Sequence, residues 1–134
     1  MTATSEAFSA AEQANIAQAM VILDEHMAAL NAGDNVRLCA TLHFPHYRLA
    51  KTMQVWEAPD SYLADFHARA GEGWHHSLWD FRNVIAAGPE KIHLDVQFTR
   101  YRADNSVMGH YRSLWIVAKL GGRWAVQARS TYAA

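Results

Sequence analysis

Two short turn signatures near the C-terminus constrain this chain more than any other feature of it. Ala103-Asp104-Asn105-Ser106 and Leu120-Gly121-Gly122-Arg123 each read as a two-residue hairpin connection, because Asp, Asn and Gly tolerate the positive φ that primed turns demand. The flanking stretches alternate apolar and polar residues. From Trp74 onward the chain is therefore expected to form four long antiparallel strands, with the segments before Trp74 covering one face of the sheet.

Register follows from the turns. Setting Ser106 opposite Ala103 pairs Phe98 with Tyr111, Val96 with Ser113, Leu94 with Trp115 and Ile92 with Val117. Carried through the second hairpin, the count pairs Val117 with Val126, Trp115 with Ala128, Ser113 with Ser130 and Tyr111 with Tyr132. A two-residue loop at Gly88-Pro89 adds His75, Ser77, Trp79, Phe81, Asn83 and Ile85 to that face and sets Arg82 opposite Asp95. A slip of one residue would turn every ring in the set to the wrong side, so burial of the rings fixes the register.

Ahead of the sheet, Ser9 followed by Glu12 makes a capping box. Ile16, Met20, Leu23, Met27 and Leu30 then recur at helical spacing up to a stop at Gly33. Asp24 and His26 lie beside this stripe and are read as solvated. Asp34 caps a short second helix with Val36, Cys39 and Leu42 inward, and Pro45 forbids its continuation. His46 to Leu49 and Thr52 to Trp56 read as a short hairpin. Pro59 opens a third helix with Tyr62, Leu63, Phe66 and Ala70 on its apolar face. Met1 to Phe8 are expected to be a loose tail.

The chain has 134 residues, 51% of them apolar, and a formal net charge of −1. That fits a single domain over residues 1–134, and argues against a polybasic nucleic-acid binder. Cys39 is the sole cysteine, which rules out an internal disulfide and gives no support to a thiolate zinc site. The N-terminal stretch lacks the basic start and apolar core of a signal peptide, and no run is long enough to span a bilayer, so a cytoplasmic protein is expected.

The order of helix, short helix, hairpin, third helix and meander, with the segments ALNAGD, FPHYRLA, FTRYRADNS, YRSLWIV and GGRWAVQARS, resembles the nuclear transport factor 2-like superfamily. The last three segments look like a bacterial branch of small, mostly uncharacterised proteins. The resemblance implies an α+β fold in which three N-terminal helices pack on a highly curved, mostly antiparallel sheet, a cystatin-like cone with an internal apolar pocket. Members include ketosteroid isomerase, scytalone dehydratase, polyketide cyclases, limonene epoxide hydrolase and many non-catalytic modules. Ketosteroid isomerase uses an Asp base with Tyr and protonated Asp donors; the expected concave face here carries Ser, Tyr, Asn and Trp but no carboxylate, so none of those roles transfers.

His46 and His75 are the candidate general bases, with Tyr47, Tyr111, Ser113, Ser130 and Tyr132 as hydroxyl groups beside them. The candidate ligand-binding walls are Tyr47, Trp56, Trp79, Phe98, Tyr111, Ser113, Trp115, Ser130 and Tyr132. His75 and His76 are adjacent and face opposite sides of a strand, so they cannot share one ion. No metal or other cofactor is called for. The other sheet face, including Asp95, Gln97, Arg112, Leu114, Ile116, Gln127 and Arg129, is too apolar for water and too polar for core. It suits a homodimer surface with Arg112 and Arg129 against Asp95 or its copy, which the superfamily resemblance also implies. Three functions stay open: a domain that binds a small apolar or aromatic ligand without chemistry, a cofactor-independent lyase or isomerase, and a purely structural association module.

Overall fold

The structure, a computed structural model, describes residues 7–132, except the side chains of 67–70. Most of the expected tail, and the side chain of Ala70, lie outside the described residues. Phe8 does not: it packs against the core.

The elements form where local chemistry dictates. Helix α1 (Ala10–Ala32) starts with the reciprocal Ser9 and Glu12 capping bonds and ends at Gly33, whose φ of 67° is left-handed. Helix α2 (Asn35–Ala40) is capped by the Asp34 carboxylate on the Arg37 amide. Strand β1 (Leu42–Leu49) pairs with β2 (Met53–Trp56), and α3 (Pro59–Ala70) has Pro59 in its first turn. Within α2 it is Leu38 that is buried, whereas Val36 is 83% exposed, contrary to its expected inward position.

Strands β3 (His76–Ala87), β4 (Lys91–Tyr101), β5 (Val107–Leu120) and β6 (Arg123–Thr131) complete one six-stranded sheet in the order β2-β1-β6-β5-β4-β3. All neighbours are antiparallel except β1 and β6. The helices lie on one face. Leu23 of α1 is buried with Leu42, Ile92, Leu94, Val96, Trp115, Val117 and Val126 of the sheet, and each such side chain contributes about 1.5–3 kcal/mol. Among the described residues, no helix is long and apolar enough to cross a membrane.

The β4/β5 register is the expected one, from Ile92 with Val117 to Phe98 with Tyr111. Its turn is not. Arg102 and Ser106 close a three-residue loop with Asn105 at φ 68°, and a bulge before Tyr111 restores the count. The Gly121-Gly122 turn has two residues, both at positive φ.

Bulges account for the larger corrections. Beyond Val117 and Val126 the β5/β6 pairing shifts by one, so Trp115 faces Arg129 rather than Ala128, and Ser113 faces Thr131 rather than Ser130. Arg129 thereby enters the concave face, and Ser130 leaves it. In β3, shifts after Trp79 and Val84 keep Ser77 and Trp79 inward but exchange Phe81, Asn83 and Ile85 for Arg82 and Val84. Arg82 sits opposite Val96 and bonds Asp24 of α1; Asp95 sits opposite Asn83 and pairs with Arg112 at 2.6 and 3.0 Å. An extra residue on one strand reverses the facing of all that follows and increases local curvature.

Candidate ligand-binding site

The mouth of the cone holds a cavity of about 40 Å³. Helix α1 supplies His26, Met27 and Leu30, and α3 supplies Tyr62 and Phe66. The sheet supplies Ser77, Trp79, Phe98, Arg100, Trp115 and Arg129, with Trp74 from the loop ahead of β3. The rings pack edge to face, Trp79 on Trp115 at 5.1 Å and on Phe98 at 6.1 Å, an arrangement favoured by their quadrupoles. At the entrance, Asn31 bonds both backbone groups of Ser77 at 2.8 Å, tying the end of α1 to the start of β3.

His26 is 3% exposed rather than solvated. Thr41 donates its hydroxyl hydrogen to the Leu38 carbonyl at 2.6 Å, so its oxygen accepts from His26 Nδ1 at 2.8 Å. The proton therefore resides on Nδ1, and Nε2 is an acceptor with no hydrogen-bond partner among the described residues. Burial, and secondarily the Arg129 charge, push the pKa down to about 3, so the ring is neutral at ordinary pH. Asp24, by contrast, is exposed as expected and holds Arg82. The signal for His26 was present in the sequence: it lies three residues after Leu23 and four before Leu30, on the buried arc of α1.

Arg129 occupies the back wall. Its Nε donates to His46 Nε2 at 3.1 Å, its terminal nitrogen reaches the Tyr62 hydroxyl at 3.4 Å, and its guanidinium lies over the Trp115 ring at 5.3 Å. His46 is fully buried, with Nδ1 against the Val126 carbonyl at 3.1 Å and its ring stacked on Trp56 at 6.2 Å. Both ring nitrogens are engaged, so His46 orients Arg129 and stands behind the cavity rather than lining it. Arg100 lies over the Tyr111 ring at 4.7 Å, and burial lowers its pKa from the ordinary arginine value.

Of the residues expected to form the site, Trp79, Phe98 and Trp115 line the cavity. Trp56 packs behind Tyr62 and His46, and Tyr111 behind Phe98. Ser113 is held by the Ser130 carbonyl and the Thr131 hydroxyl. Tyr47 is 37% exposed and Tyr132 91% exposed, and His75 is also at the surface, beside His76. Gln127 donates to the Pro45 carbonyl. Asp95, Gln97, Arg112, Leu114 and Ile116 remain on the outer face. Among the described residues no group of three or more His, Cys, Asp or Glu side chains converges on a point.

No protein-family model matches the chain, and no curated protein is significantly similar to it in sequence. Solved structures are similar in shape. A protein of unknown function with a cystatin-like fold from Nostoc punctiforme aligns with a TM-score of 0.72 at 13% identity, over 100% of this chain and 96% of that one. The chain has the nuclear transport factor 2-like, cystatin-like fold. Similar cones include a ketosteroid isomerase-like protein from Erwinia carotovora, with TM-score 0.64, 17% identity and coverage of 88% and 95%. Another, from Catenulispora acidiphila, is in complex with S-DNPA, with TM-score 0.69, 16% identity and coverage of 90% and 93%.

Proposed function

We propose that this nuclear transport factor 2-like cone binds a small molecule with an apolar or aromatic body. The cavity carries the reading: ring walls from Trp79, Phe98 and Trp115 meet polar groups from His26, Tyr62, Arg100 and Arg129, a combination typical of small-molecule sites. Its about 40 Å³ is below the roughly 150 Å³ of a cavity that takes up benzene, so a single-ring ligand enters only as the side chains of the wall move apart. The complex of the Catenulispora cone with S-DNPA supports a binding role. Small aromatic compounds should quench the tryptophan fluorescence saturably, and Trp79→Ala should weaken them by about tenfold through lost ring burial. A panel of single-ring compounds that leaves the emission unchanged refutes the reading.

A second reading, a cofactor-independent lyase or isomerase, is favoured by His26. It presents an acceptor nitrogen in the cavity wall, which His75 and His46 do not. A pKa of about 3 makes it a weak base, below the range that suits proton transfer, and this ranks binding first. For assembly we propose a homodimer through the outer face around Asp95, Gln97, Arg112, Leu114 and Ile116. Arg129 lies on the opposite face and has no part in it.

A further inference from the structure

The charge of the cavity identifies a class of ligand, an inference that rests on the small-molecule reading of the same cavity. Arg129 and Arg100 both line it, and none of the described lining residues is acidic. Every partner of Arg129 is neutral: the His46 ring, the Tyr62 hydroxyl and the faces of Trp115 and Tyr62. Three arginines outside the cavity pair with acids, Arg37 with Glu25, Arg82 with Asp24 and Arg112 with Asp95, whereas Arg102 and Arg123 bond hydroxyl, carbonyl or imidazole groups at the surface. The formal net charge is −1, so the two cations in the cone do not reflect a basic protein.

Two guanidinium groups brought together on an aromatic wall repel each other and lose hydration. The arrangement persists because neutral groups hold it: His46 fixes Nε of Arg129, and Tyr111 underlies Arg100. An anion entering the cavity meets the Arg129 charge without first having to displace a bound carboxylate from it. The planar guanidinium fork matches a carboxylate. The Trp115 indole N–H, buried in the same wall, has no hydrogen-bond partner among the described residues.

We propose that the cavity selects a small organic carboxylate, its anionic group at Arg129 beside Arg100 and its apolar ring against Trp79 and Phe98. The neutral His26 Nε2 then accepts a hydrogen bond from any hydroxyl on that ring.

Benzoate and its neutral counterpart benzamide test this by calorimetry and tryptophan quenching on the full chain. Benzoate should bind about tenfold or more tightly than benzamide, as hydrogen bonds to a charged group predict. Arg129→Gln should bring the ratio of benzoate to benzamide affinity close to one, and Arg129→Lys should restore part of the preference. Equal binding of the two compounds by the wild type overturns the carboxylate assignment and leaves the aromatic pocket standing. Binding of neither overturns both. The wild-type comparison decides even where Arg129→Gln does not fold, and unchanged benzoate affinity in a folded Arg129→Gln protein also counts against the assignment.

Discussion

The neutral state of His26 has a measurable cost. Its folded pKa of about 3 lies below the ordinary value of 6.5, so between those values the unfolded chain binds a proton that the folded chain refuses. Stability should therefore fall as the pH drops from about 6.5 toward 3, by at most about 1.4 kcal/mol per unit from this group. His26→Gln should have a flatter profile than the wild type in urea melts at pH 7, 6 and 5. This range lies above the titration of Glu25 and Asp95, whose pKa values are lowered by Arg37 and Arg112. The lowered His93 pKa acts in the same direction in both proteins and cancels in the difference. A variant as acid-sensitive as the wild type contradicts the neutral assignment. His26 was legible from its place between Leu23 and Leu30, but hydropathy alone counts histidine as polar and sets it outside the stripe.

At the scale of elements, caps and turns were legible because they depend on a few adjacent residues. Ser9 with Glu12, Gly33, Asp34 and Pro59 all mark the boundaries the structure shows. Bulges were not legible: each depends on how the whole strand must curve, and the residue left over carries no distinctive side chain. That is why simple alternation puts Trp79, Phe98 and Trp115 on the face they occupy but sets Arg129, three residues beyond Val126, on the face opposite to its true one. The left-handed Asn105 gives a local test. Asn105→Gly should leave the thermal midpoint near its wild-type value, while Asn105→Val should cost about 1–2 kcal/mol. Equal midpoints for the two variants would show that the loop does not hold this geometry in solution.

For the molecule as a whole, the outer sheet face is the surface that the fold leaves uncovered by helices. Leu78 and Ile85 are half exposed there, Ile85 beside the Arg112 and Asp95 pair. If two copies meet across it, the wild type should sediment as a dimer at micromolar concentration, and its thermal midpoint should rise with concentration. Leu114→Arg combined with Ile116→Arg should yield monomers that still bind the cavity ligand, because both side chains lie on the far side of the sheet from it. A wild type that sediments as a monomer removes the dimer.

The irregularity in β6 also bears on how such a pocket could change over evolutionary time. Had the pairing that joins Val117 to Val126 run on without the bulge, Ala128 would face Trp115, Ser130 would face Ser113 and Arg129 would turn to the outer face. A related lineage could thus withdraw a cation from such a pocket by smoothing one bulge, with every helix and every ring of the other strands unaltered.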